Sequence, residues 1–318
     1  MTALLQVKNL SLQTRADKRL LVDNVSFEIQ EGESVGLVGE SGSGKTLTAL
    51  SILGLLPRAV EVKSGEILFK GESISQMSSA SLQQIRGNRI SMIYQDPMTS
   101  LNPMMKIGKQ IQEVLTAHGI DGSKERVIEA LRSVEIPNPE ECFSSYPHEF
   151  SGGMRQRVMI AMAMLLKPNL LLADEPTTAL DVTIQRQILN LVNKERIENS
   201  LSLLWISHDL SVVSEMVERV IVMYAGRIAE IGVVKDIFHN PRHPYTHGLI
   251  GSIVKRSHQE RLLSIPGIPP KPWTIESSCS FAERCPRAES DCTSQKPILQ
   301  NQGSQAYACF HPEVSSSW

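Results

Sequence analysis

The segment "SVGLVGESGSGKTLTALSILGLL" sets the strictest condition on how this chain can fold. A short β-branched run, Ser34–Val38, meets a glycine-rich turn, and a helical apolar pattern then runs from about Lys45 to Leu56. Gly39 to Thr46, "GESGSGKT", matches G-x-x-x-x-G-K-[ST] in the strand-to-helix setting that a phosphate loop requires. Gly39, Gly42 and Gly44, with Ser41 between them, let backbone N–H groups curl around phosphate oxygens. Lys45 can reach the β- and γ-phosphates, and the Thr46 hydroxyl suits Mg²⁺.

The remaining pattern supplies a sheet to carry that loop. Apolar runs at Asn169–Asp174, Leu201–Ser207 and Arg219–Gly226 alternate with helical stretches such as Thr183–Ile197, which predicts an α/β fold with a mostly parallel sheet. Between about 96 and 166 the pattern becomes helical pieces broken by Pro97, Pro103, Pro137, Pro139 and Pro147, read as an inserted helical subdomain. The expected division is a nucleotide-binding domain over 1–235 and a small irregular C-terminal extension over 236–318, rich in proline and turn formers.

Composition removes several function classes. The 318 residues are 41 % hydrophobic, enough for a full core, and the formal charge is −2 with Lys and Arg scattered, so no nucleic-acid partner is expected. The longest unbroken apolar run is Val158–Leu166, against the roughly 20 residues of a membrane span. No signal-peptide pattern opens the chain, and a soluble, cytoplasmic protein is expected.

Other residues sit where chemistry at a sheet edge would need them. Asp174 and Glu175 follow the apolar run of "NLLLADEP", one placed to hold the Mg²⁺ shell and the other to polarise an attacking water. By itself a strand-end Asp-Glu is more often a solvated turn. "FSGGMRQR" places Ser151 as an N-cap, with Gly152 and Gly153, at a helix start that is either a second anion-seeking site or a flexible turn. His208 ends the run "LLWISHDLS" where it could sit beside a γ-phosphate, though a lone histidine is more often a structural residue; Gln95 follows "MIY" and alone carries little information.

Taken in order and spacing, "GESGSGKT", Gln95, "SGGMRQR", "LLLADEP", "ALD" (Ala179–Asp181) and His208 resemble the ATPase subunit of an ABC transporter, a P-loop NTPase. The resemblance implies that Gly39–Thr46 is Walker A, Gln95 the Q-loop, Ser151–Met154 the signature, Asp174 Walker B, Glu175 the catalytic carboxylate, Asp181 the D-loop and His208 the switch histidine. In that family two cassettes close head to tail. Ser151, Gly152, Gly153 and Asp181 would therefore serve ATP in trans, in a second ABC ATPase subunit, either a homologue or a copy of this chain. Two transmembrane permease subunits and an extracytoplasmic substrate-binding protein are also implied, with the chain peripheral on the cytoplasmic face of the inner membrane. "NPRHPYTHGLI", "IPGIPP" and the cysteine segment resemble the C-terminal extension of oligopeptide, dipeptide and nickel importer ATPases. Uptake of di- or oligopeptides is expected, with a nickel or glutathione importer, or a soluble non-transport ABC ATPase, as alternatives. Two positions depart from the family: Met154 replaces a common Gln, and no aromatic precedes Phe27 to stack on adenine, where Leu12 or Thr14 stands instead.

Cys279, Cys285, Cys292 and Cys309 are spaced C-x5-C-x6-C-x16-C, without the tight knuckle usual for zinc. Four thiols in a reducing compartment predict metal rather than disulfides. A [4Fe–4S] cluster is expected, as the family resemblance also implies, with zinc or metal-free thiols as the alternatives. His311 is a substitute ligand, Cys142 an ordinary buried cysteine, and the segment is expected to stand apart from the phosphate machinery.

Overall fold

The structure is a computed structural model describing residues 3–178, 181–252, 265–275 and 277–313. The chain forms two compact units: one from residues up to Gln76 together with Trp205 onwards, the other Met77–Leu204.

In the first unit an antiparallel sheet runs in the order Leu20–Ile29, Leu5–Thr14, Val60–Phe69, Glu72–Ser73. Leu5 is paired with both Ile29 and Phe69, and all three are buried. The phosphate-loop strand Ser34–Val38 pairs in parallel with Arg219–Tyr224, from Val35↔Arg219 to Val38↔Val222. Every residue of Ser34–Val38 is buried, the signature of a strand covered on both faces. Fully burying one Val or Leu side chain contributes about 1.5–3 kcal/mol, so Val35, Leu37 and Val38 anchor the approach to the loop firmly. The helix begins at Lys45 as its pattern predicts but closes at Ile52, because Gly54 takes φ +62° and turns the chain out of the helix.

The C-terminal extension carries more regular structure than its composition predicts. Gln305–Tyr307 pairs antiparallel with Arg227–Val233 and with Gln300–Gln302, the latter closing a hairpin at Gly303 with φ +62°. Arg227 pins it further, donating to Asp23 at 2.8 Å and to the carbonyls of Ile275 and Ser278 at 2.9 and 3.2 Å.

In the second unit Ile90–Ile93 pairs in parallel with Leu170–Asp174. The helix Gly152–Met164 packs on Ile90–Ile93, and the helices Ile107–Ala117, Lys124–Ser133 and Val182–Asn199 pack in turn against Gly152–Met164. Ile107, Ile111, Val127, Leu131, Val158 and Ile160 are completely buried and form the core of the helical part. Arg157 crosses it, donating to the Val134 carbonyl at 2.6 Å and to Gln187 at 3.1 Å. Among the described residues no helix is long and apolar enough to cross a membrane.

Candidate active site

In the first unit the loop from Gly39 to Lys45 is shaped by backbone that only glycine adopts easily. Gly39 has φ +152°, and a Cβ there would lie 2.1 Å from the Met223 carbonyl oxygen; Gly44 has φ +100°, and its Cβ would lie 2.9 Å from Val22. Gly44 caps the helix Lys45–Ile52 and brings no side chain to the first-turn N–H groups, which suits them to an anion. Ser41 and Thr46 are exposed, whereas Lys45 is 5 % exposed. Its ammonium donates to the carbonyls of Gly39 at 2.7 Å and Glu40 at 3.0 Å. Neutral carbonyls are weaker partners for an ammonium than phosphate oxygens, so an incoming phosphate has a charge-assisted advantage.

A cavity of about 340 Å³ borders this loop, lined by Leu21, Ser41, Gly42 and, from the extension, Trp273. On the Leu5–Thr14 strand Leu12 is fully buried and the Thr14 hydroxyl donates to Asp17, so neither presents a stacking surface. His208 is exposed just beyond the buried strand Ser202–Ser207, and Asp209 behind it caps the next helix by accepting from the Ser211 N–H at 2.9 Å.

In the second unit the parallel register brings two candidate residues together. Asp174 ends its strand at 3 % exposure, and Glu175 turns the chain with φ +45°. The Glu175 carboxylate accepts from Gln95 Nε2 at 3.3 Å and from the Thr178 hydroxyl at 2.9 Å. Ser151 caps Gly152–Met164 by accepting from the Met154 N–H at 3.3 Å, so the helix start is a true N-cap. Asp181 caps the Val182–Asn199 helix through the N–H groups of Thr183 and Ile184, at 3.0 and 2.9 Å; Ala179 and Leu180 lie outside the described residues. Gly153 faces that second helix, where a Cβ would meet Ile184 at 2.9 Å.

The four tail cysteines are free thiols gathered in one region of the first unit. The Cys279 N–H donates to the Cys292 carbonyl at 2.9 Å. Burial pushes the Cys309 thiol up to about 12, with the Cys279, Cys285 and Cys292 thiols adding to it. Burial also raises Cys279 and Cys285. Among the described residues the three-ligand group whose atoms all lie within 4.8 Å of one another is Asp291, Cys292 and His311. His311 Nε2 lies 2.9 Å from both Asp291 carboxylate oxygens.

One connection has no counterpart in the sequence pattern. Arg284, within the cysteine segment, is paired with Glu40 of the phosphate loop across 244 residues. The extension therefore does not stand apart from the phosphate machinery, because Arg284 and Glu40 meet in three dimensions and no local periodicity encodes such a contact.

Known proteins share both parts of this architecture. The ABC transporter family matches residues 22–178, and the oligopeptide/dipeptide transporter C-terminal region matches residues 229–292. Over 90 % of its length the chain is 49 % identical to a probable peptide ABC transporter ATP-binding protein of Sinorhizobium fredii, covering 88 % of that protein. It is 48 % identical over 98 % of its length to the oligopeptide transport ATP-binding protein OppD of Bacillus subtilis, covering 90 %. The ATP-binding cassette MJ0796, solved as a dimer in a post-hydrolysis state bound to ADP and Pi, superposes with a TM-score of 0.64 at 26 % identity, spanning 72 % of this chain and 98 % of that one. This chain belongs to the ATP-binding subunits of ABC transporters, in the branch that carries the oligopeptide/dipeptide C-terminal region.

Proposed function

We propose that this chain hydrolyses ATP to power uptake of di- or oligopeptides through a membrane ABC importer. The observation that carries the reading is the pairing of a cassette with an oligopeptide/dipeptide C-terminal region, as in relatives named for peptide transport. In this reading Lys45 would leave the carbonyls of Gly39 and Glu40 for the β- and γ-phosphates, the loop N–H groups would cradle the same oxygens, and Thr46 and Asp174 are the residues that would hold Mg²⁺, which neutralises phosphate charge. Glu175 polarises the attacking water. Its carboxylate is already oriented by Gln95 and Thr178, which favours that role, and His208 supports the transition-state geometry.

Ser151, Gly152, Gly153 and Asp181 serve the nucleotide of a second ATPase subunit, a homologue or another copy of this chain. Two permeases and an extracytoplasmic substrate-binding protein complete the importer, with this chain on the cytoplasmic face. Glu175→Gln should bind ATP as the wild type does and hydrolyse it about 10²–10⁴-fold more slowly, the usual contribution of a general base. Near-normal turnover in that variant would remove Glu175 from the role.

The four tail thiols suit a [4Fe–4S] cluster better than zinc. A tetrahedral zinc site with Zn–S bonds of about 2.3 Å draws its sulfurs to within about 4 Å of one another. The tight three-ligand group among the described residues contains a single cysteine, which favours the larger cluster over a zinc ion held by four thiolates. Cys279, Cys285, Cys292 and Cys309 would hold it, and its contribution is to cross-link a segment with little regular structure.

A further inference from the structure

Glu40, the second residue of the phosphate loop, is held from outside the loop at two of its groups. Its carboxylate takes a bidentate fork from Arg284: Nη1 donates to Oε2 at 2.7 Å and Nη2 to Oε1 at 3.0 Å. Its backbone N–H donates to the Tyr245 hydroxyl at 2.9 Å. Its carbonyl is one of the two oxygens on which the Lys45 ammonium rests. Glu40 thus joins the phosphate-binding lysine directly to two side chains of the C-terminal extension.

Those side chains are themselves fixed. Arg284 is 8 % exposed, and its Nε donates to the Pro266 carbonyl at 2.8 Å while Nη1 also donates to the Tyr224 hydroxyl at 3.1 Å. Tyr245 is completely buried, and its ring lies 4.5 Å from Tyr224 and 5.5 Å from Phe281. Phe281 follows Cys279 by two residues and Arg284 immediately precedes Cys285. Exposed ion pairs contribute little, but here Arg284 is buried and Glu40 partly so, the two-pronged geometry fixes orientation as well as position, and removing Glu40 leaves the buried guanidinium without its counter-charge.

We propose that Arg284 and Tyr245 are positioning residues for the phosphate loop, so that nucleotide affinity depends on the cysteine-bearing extension as well as on the loop itself. A loop held in its binding shape has less conformational freedom to lose when phosphate arrives. Freed from Arg284, the Glu40 turn can relax, and ordering it falls to the nucleotide. The inference rests on the ATP-binding reading above.

The test is equilibrium ATP binding to the full chain in a Glu175→Gln background, with folding checked by near-UV circular dichroism. Arg284→Ala and Glu40→Gln should each weaken ATP binding about tenfold, and the double variant should be no weaker than the worse single one, because both remove one interaction. Arg284→Lys, which keeps the charge but loses the fork, should fall between wild type and Arg284→Ala. In turnover assays of Arg284→Ala with native Glu175, KM should rise while kcat holds. Unchanged ATP binding by folded Arg284→Ala, or losses that add in the double variant, overturn the proposal. If Arg284→Ala does not fold, Glu40→Gln and Arg284→Lys carry the same test, and wild-type affinity in both overturns it. A parent chain without ATP binding refutes the nucleotide reading itself, which separates that failure from this one.

Discussion

His243 is a buried histidine whose two ring nitrogens both have hydrogen-bond partners. Its Nδ1 accepts the Tyr245 N–H at 3.1 Å and so caps the helix Pro244–Gly251, the ring makes a further hydrogen bond with the Ala308 backbone, and it lies 5.9 Å from the Phe281 ring. Burial dominates and lowers its pKa from 6.5 to about 4, so it is neutral in the folded chain. Its contribution to stability is present above about 6.5 and is lost as pH falls towards about 4, where the unfolded chain gains a proton that the folded one resists. The full difference is on the order of 3 kcal/mol. Glu230, which accepts the N–H groups of Arg242 and His243 at 2.8 and 2.9 Å, is pushed up by burial and changes stability in the opposite sense. The measurement is therefore a comparison: thermal midpoints of wild type and His243→Asn across that pH range, the variant giving the flatter curve. Parallel curves would mean that His243 carries no such penalty. At this scale the sequence was most legible where one residue type does one thing, as at Gly39 and Gly44 with their positive φ. It was least legible at Glu40 and Arg284, whose roles exist only in the fold.

Among the described residues of the cysteine segment the large apolar side chains that are buried are Phe281 and Tyr307. Among its described parts are two short helical turns, Ala282–Arg284 and Ser290–Ser294, and a three-residue hairpin strand, Gln300–Gln302, that is exposed throughout. Such elements bury little apolar area, so a covalent or metal cross-link has most to add here. Anaerobically purified protein should be brown and contain iron and sulfide, and Cys285→Ser should lose both and melt at lower temperature. A colourless wild type containing zinc would overturn the cluster. The hairpin was invisible in the sequence because "QNQGSQAY" has no alternating apolar face. The helix over Val182–Asn199, by contrast, is expected from Thr183–Ile197 and differs only at its ends, where Asp181 caps the start and Ser200 at φ +50° stops it.

For the molecule as a whole, the parts of the nucleotide site were readable because each is a short motif on a strand end or helix start, whereas the surface that turns hydrolysis into transport has no motif. The second unit nevertheless exposes apolar side chains close to Gln95 in sequence: Tyr94 at 39 %, Met98 at 59 % and Met104 at 86 %. Methionines adapt to irregular apolar partners, and exposed ones in a short segment mark a contact surface better than scattered single residues do. In the proposed importer the force of ATP closure would pass to the permeases, and these exposed side chains form a candidate surface for it. Met104 lies in the turn before the helix Ile107–Ala117, and its exposed side chain makes it a position where a charge disturbs little of the fold. Met104→Asp should bind ATP normally yet fail to bring two hydrophobic permeases through detergent purification. If both permeases remain bound in that variant, the coupling surface lies elsewhere.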